Sequence, residues 1–213
     1  VRVTGTGPQN ANVLRTIRVD FQGFDRLNSF CKTAGVTLST AFNVAWGLVL
    51  SSLTFSDDVC FAYTTSLRDV SVENIEAIVG PVVNLIVCRM KLPATDTVLD
   101  VLQRAQNDYM DSLPYRSCSL IDIQHRLKLA NTSLFNSGVS YRKLSAAQAS
   151  SECPVQFVQK GLIHDPAETE VYINIEATDE LCQIELNYWT NCLSDEQARS
   201  EEHTSELQSP VLS

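Results

Sequence analysis

A chain of 213 residues that is 44% hydrophobic is long and apolar enough to bury a core as one domain or one large lobe, which excludes a disordered chain. Its net charge of −9, without a Lys/Arg cluster, argues against nucleic acid and anionic membranes as partners. The longest apolar-rich run, Ala41 to Leu50, is too short for a membrane span and is broken by Asn43 and Gly47.

Val13 to Val19 alternates apolar and polar residues and is predicted to be a strand. Phe21 to Ala34 follows as a helix with Leu27, Phe30, Cys31 and Ala34 on its inner face and Gly35 at its C-terminal cap. Thr37 caps a second helix from Leu38 to about Leu53. Its inward stripe is expected to hold Leu38, Ala41, Ala45, Leu48, Val49 and Leu53, widened by Phe42 and Trp46. After a turn at Ser56-Asp57-Asp58, Val59 to Thr65 is a strand that ends in Ser66-Leu67-Arg68-Asp69. Val79 to Leu92 is the next strand. Thr97 to Leu113 reads as an amphipathic helix, with Val98, Val101, Leu102, Ala105, Tyr109 and Leu113 inward, stopped by Pro114. A shorter helix spans Ser119 to Leu129, and a strand spans Leu134 to Tyr141. Lys143 to Asp165 has no clear period and is expected to be a long irregular excursion. Glu170 to Ala177 and Leu181 to Trp189 alternate on either side of Thr178-Asp179-Glu180, as in a hairpin. Ser194 and Gln197 form a capping box that opens a last helix. Interspersed strands and helices put the chain in the α/β or α+β class with a mixed sheet, and no internal repeat is evident.

The seven cysteines (Cys31, Cys60, Cys88, Cys118, Cys153, Cys182 and Cys192) are odd in number, form no CxxC pair and lie mostly in apolar segments. This usage fits reduced core thiols in a cytoplasmic protein. His125, His164 and His203 are scattered without ligand spacing, so no metal site is expected, and His125 and His164 read as structural. The N-terminus, VRVTGTGPQN, has neither a signal-peptide apolar region nor an initiator Met, and the chain reads as a piece of something longer.

The most informative stretch is VGPVVNLIVCR, Val79 to Arg89. A glycine-proline corner enters an apolar strand that Asn84 interrupts and Arg89 closes. An amide there must hydrogen-bond or cost roughly 1–3 kcal/mol, which suggests a lined cavity or a buried network. The stretch resembles the (I/V)GxFVNTxxxR motif of the condensation domains of nonribosomal peptide synthetases. Gly80, Val83, Asn84 and Arg89 match, while Val82 stands for Phe and Leu85 for Thr. GVTLSTAFNVAWGLVL (Gly35 to Leu50) is similar to the family helix GVTL…AAWALVL. DDVCFAYTTSLRD (Asp57 to Asp69) is similar to the DDVCFGYxxSGRD of fungal members, with Ala62 and Leu67 where the family has glycines. SLPYRSCSLIDI (Ser112 to Ile123) resembles a segment with a His-Gln pair, here replaced by Tyr115-Arg116. SLFNSGVSYR (Ser133 to Arg142) is similar to LFNTxxSY, and IELNYWTNCLSDEQA (Ile184 to Ala198) to the last strand and helix start.

The resemblance implies a chloramphenicol-acetyltransferase-like two-lobed fold of the α/β class. Residues 1–198 would be its C-terminal lobe, a mixed sheet flanked by helices. It implies amide or ester bond formation between acyl and aminoacyl thioesters held on carrier proteins. No cofactor would bind directly, because the carriers present the phosphopantetheine arms. Partners would be the N-terminal lobe, peptidyl carrier domains and an adenylation domain in cis. The family's HHxxxDG motif lies in the N-terminal lobe and this sequence has no His-His pair, so no residue here is expected to be catalytic. Gly80, Asn84, Arg68 and Arg89 are the candidates for the substrate tunnel or the lobe interface. The alternatives are a degenerate module that docks carriers without chemistry, and a coenzyme A-dependent acyltransferase. Against the latter, the DFGWG segment of plant-type acyltransferases is missing. Residues 199–213, RSEEHTSELQSPVLS, differ in kind: RSEEHTSELQS resembles an in-frame reading of a common sequencing-library adapter, and this tail is expected to be non-native.

Overall fold

The computed structural model describes residues 12–129, 133–144 and 169–204. Its strands are β1 (Leu14–Asp20), β2 (Asp58–Ser66), β3 (Val83–Lys91), β4 (Ser137–Lys143), β5 (Val171–Ala177) and β6 (Cys182–Trp189). Its helices are α1 (Phe24–Ala34), α2 (Leu38–Thr54), α3 (Val98–Ser112), α4 (Leu120–Arg126) and α5 (Asp195–Thr204). The strands form one sheet in the order β1-β6-β5-β4-β2-β3. β4 pairs parallel with both β2 and β5, and the remaining pairs are antiparallel, so the sheet is mixed.

Successive strand residues point to opposite faces, and the register sorts them. Val59, Phe61 and Tyr63 of β2 lie beside Met90, Cys88 and Ile86 of β3 on the face that α2 and α3 cover. Phe61 and Val139 are 0% and 1% exposed there, and each fully buried large side chain contributes about 1.5–3 kcal/mol. Trp46 of α2 keeps its indole N–H satisfied inside this core by donating to Ser137 Oγ at 3.3 Å. Phe42 stacks on Tyr141 with ring centroids 5.8 Å apart, tying α2 to β4.

Helix ends follow their local chemistry. Thr37 Oγ1 accepts from the Thr40 N–H, and Gly35 takes the left-handed conformation (φ 70°) expected of a C-terminal cap. Ser194 and Gln197 exchange the two bonds of a capping box, both at 3.1 Å. Thr97 and Asp100 form a second capping box at the start of α3. α5 continues past Ala198 to Thr204.

Several boundaries and faces differ from expectation. α1 begins at Phe24 because the Phe21 N–H still bonds the Cys182 carbonyl at 2.8 Å, prolonging the β1–β6 edge. β3 begins at Val83, since Pro81 has no N–H to give and Gly80 has φ 140°. α4 stops at Arg126, two residues before Lys128 turns left-handed (φ 55°). β4 extends through Lys143, so that residue belongs to a strand and not to the irregular stretch; residues 145–168, with His164, lie outside the described residues. The inner face of α2 is also turned: Ala45 and Leu48 are exposed, while Thr40, Asn43, Val44 and Gly47 are buried. The helix is apolar nearly all round, so periodicity did not select a face. Gly47 selects it, because a Cβ there would stand 2.7 Å from Met90 Sδ of β3. Phe30 and Val98, expected inside, are 44% and 60% exposed. Among the described residues no single helix is long and apolar enough to cross a membrane.

Candidate functional site

The sheet face away from α2 and α3 holds a cavity of about 1100 Å³, bounded by β2–β5, α4 and the segments beside them. Thr64, Leu85, Ser140, Tyr172 and Asn174 form its floor. They share one face because strand alternation and register bring them there: Thr64 lies beside Leu85, and Ser140 beside Asn174. Tyr172 pairs with Gly138, and Gly138 with Ala62. The Tyr172 ring crosses β4 at the one residue of that strand without a side chain, since a Cβ on Gly138 would meet its Cε2 at 2.7 Å. The phenol then shares a 2.7 Å hydrogen bond with Thr64 Oγ1, two strands away.

The described lining contains hydroxyls, amides and apolar side chains but no carboxylate, imidazole, amine, guanidinium or thiol. Such a wall can bind and orient an amide- or ester-bearing chain through neutral hydrogen bonds. It offers no group that would accept a proton at neutral pH. His125, on α4, is exposed and is not part of the lining.

The glycine-proline corner lies at one end of this cavity. The Arg68 guanidinium donates to the carbonyls of Ile75 (3.3 Å), Ile78 (3.2 Å) and Gly80 (2.9 Å). The Leu67 N–H bonds the Val82 carbonyl at 3.0 Å, closing the connection between β2 and β3. Arg68 and Gly80 are thus brought together. Asn84 follows on β3, half-buried and lining the cavity. Its Nδ2 donates to the Arg116 carbonyl (2.7 Å) and the Cys118 carbonyl (3.1 Å), and its Oδ1 accepts from the Leu85 N–H at 3.0 Å. One amide thereby holds the link between α3 and α4. Val72, Ile78 and Val79, in the connection between β2 and β3, and Val83, which lines the cavity, are exposed apolar residues, at 56%, 48%, 102% and 55%.

Arg89 does not join this group. It lies five residues further along β3, roughly 17 Å away at the usual rise per residue. There it makes a bidentate pair with Asp58 at 2.8 and 2.6 Å and borders a separate cavity of about 190 Å³ between α2, α3 and β3. The hydrogen bond from Arg89 holds the Asp58 carboxyl below its ordinary range.

Two features escaped the sequence. Arg116, whose carbonyl receives Asn84, pairs with Asp69 at 2.8 Å and holds that carboxyl low by its hydrogen bond. On the cavity's face of the sheet, Thr16 donates to Asn187 Oδ1 (2.7 Å), Asn187 Nδ2 to Glu185 Oε1 (2.9 Å) and Arg18 Nε to Glu185 Oε2 (2.7 Å). Burial alone would raise the Glu185 carboxyl, but the bonds from Asn187 and Arg18 outweigh it and leave the group low. Polar residues at alternate positions of β1, β5 and β6 were the available signal. Their convergence required the sheet order.

The described cysteines are all unpaired, with Cys31, Cys182 and Cys192 buried and Cys60 and Cys118 exposed. Burial pushes the Cys88 and Cys192 thiols up to about 12, which keeps them neutral and inert.

With this geometry in place, the chain compares with known proteins as follows. The Condensation domain family model matches residues 9–207. "Nonribosomal peptide synthetase 1" of Aspergillus fumigatus is 53% identical over 198 residues, 93% of this chain and 3% of that protein. "Nonribosomal peptide synthetase nlsA" of Emericella nidulans is 46% identical over 187 residues, 88% of this chain and 3% of that protein. The chain therefore spans a small part of these relatives. Among solved structures, the condensation domain from the monacolin K polyketide synthase MokA superposes with a TM-score of 0.74 at 14% identity, covering 93% of this chain and 48% of that one. That likeness bears on the fold, a mixed sheet with helices.

Proposed function

The chain belongs to the condensation-domain family, and from that premise we propose that it is the C-terminal lobe of such a domain and supplies one wall of its substrate tunnel. The reaction it serves joins an acyl thioester on one carrier protein to the amine of an aminoacyl thioester on another. The amine nitrogen bonds to the thioester carbonyl carbon, the carbon–sulfur bond breaks, and the leaving thiolate stays on the donor arm, where it takes up the proton that the amine loses. The carriers present both arms as phosphopantetheine. The partners are the N-terminal lobe, the carrier domains and an adenylation domain in cis.

The observation that carries this reading is the neutral hydrogen-bonding cavity of about 1100 Å³ beside Asn84 at the start of β3. A wall of this kind contributes proximity and orientation, worth several kcal/mol when two reactants are held in line. Proton transfer is left to residues of another lobe. Asn84 braces the wall by fixing the α3–α4 link, and Arg68 holds the Gly80 corner at its rim. The exposed apolar residues of that rim suit contact with a partner lobe. Arg89, paired with Asp58 at the far end of β3, serves the strand rather than the tunnel.

The test is amide formation by the complete two-lobed domain with its two loaded carrier proteins, read as product mass. Product is expected from the complete domain and none from residues 1–198 alone. Carrier binding without product by the complete domain would favour the docking module instead, a reading to which Leu67 lends support: it replaces a family glycine and lines the cavity.

A further inference from the structure

We propose that Tyr172, seated on Gly138 and tethered to Thr64, sets the width of the cavity and so selects the side-chain size of the carrier-bound group that enters it. This inference rests on the reading of the cavity as a substrate wall.

Three observations converge on Tyr172. Its ring lies over β4 at position 138 only because that residue has no Cβ; one built there would stand 2.7 Å from Cε2 and 2.9 Å from Cδ2. A Cβ essentially never stands that close to another heavy atom, so any side chain at 138 displaces the ring. The phenol is then pinned at 2.7 Å to Thr64 Oγ1 across the intervening strand. A tyrosine fixed at both its face and its tip is a rigid surface, whereas an untethered one would swing about χ1 and yield to a bulky ligand. Finally, Tyr172 and Thr64 both line the cavity, with Ser140 and Asn174 beside them on the same face. The ring therefore sets how much of the floor is open, and the neighbouring hydroxyl and amide supply polar contacts around it.

Apolar size selection in such a site is modest, about ten- to two-hundredfold for one methylene. The ligand's shared chemistry is the side chain of an acyl or aminoacyl thioester, and the two sources are separated by experiment. The complete domain is assayed with its two carriers in two series. In one, the donor acyl group varies from acetyl to phenylacetyl with the acceptor held constant. In the other, the acceptor varies from glycyl to phenylalanyl with the donor held constant. The readout is the ratio of kcat/KM for the bulky over the small substrate within each preparation, which cancels any loss of folded protein.

Tyr172→Ala is expected to raise that ratio about tenfold in one of the two series, and that series identifies the source. Gly138→Ala, which forces the ring off its seat and into the cavity, is expected to lower it in the same series. Tyr172→Phe and Thr64→Val keep the core intact and remove only the tether, and are expected to raise the ratio by a smaller factor. A wild-type domain that forms product, with ratios unchanged by Tyr172→Ala and Gly138→Ala in both series, overturns this inference alone. A wild-type domain that forms no product with any pair overturns the substrate-wall reading and this inference with it.

Discussion

The two faces of the sheet are built on different physics. The face under α2 and α3 is mainly apolar and buried: Phe61, Val139 and Tyr188 are at most 1% exposed. The opposite face buries polar groups. Glu185 and Asn187 are 7% and 4% exposed, yet each is hydrogen-bonded, and beyond them the floor opens into the large cavity. The first face gains its stability from area removed from water, which is non-directional and tolerant of detail. The second depends on directional bonds whose loss leaves a buried group unpaired, and in exchange it holds donors and acceptors in fixed positions. One face supplies stability, the other fixed donors and acceptors around a cavity.

This contrast can be broken at three points. Phe61→Ala, on the packed face, should cost the most, about 3–5 kcal/mol in urea unfolding, because a fully buried ring is replaced by a cavity. Glu185→Ala, on the polar face, should cost about 1–3 kcal/mol by stranding Asn187. It should also change the response to acid. The Glu185 carboxyl is lower in the folded state than in the unfolded chain, so the unfolded state binds its proton first as pH falls. The stabilisation is complete above the ordinary glutamate range of about 4.3 and is lost as pH drops through the lower folded value. The unfolding midpoint of Glu185→Ala should therefore fall less steeply with acid than the wild type's. Asn84→Ala should have the smallest effect on stability, about 1 kcal/mol, since its partners are carbonyls that water can reach once the link loosens. Its signature is local: amide hydrogen exchange should rise over residues 116–120 and stay unchanged in β5 and β6.

How much of this was readable in the chain depends on the distance over which the information is stored. Asn84 was conspicuous as an amide in an apolar strand, but its partners are 32 and 34 residues away, so the need for a bond was visible and the α3–α4 link that meets it was not. The Ser194–Gln197 box was readable because both halves lie within one turn. The inner face of α2 is not legible in the sequence because an all-round apolar helix has no preferred side until Gly47 meets Met90. Arg68, Gly80, Asn84 and Arg89 looked like one group in sequence, yet Arg89 is turned to Asp58 at the far end of β3.

The sequence by itself determined the elements, the mixed α/β character and the family, because periodicity, caps and motif order are local properties carried by neighbouring residues. Tertiary structure alone decided which strands adjoin, and with that everything built across them. Tyr172 rests on Gly138 and bonds Thr64, 108 positions away, only because β5, β4 and β2 lie side by side. Strand order reflects which apolar faces can be buried together, a property of the whole chain that no single segment carries.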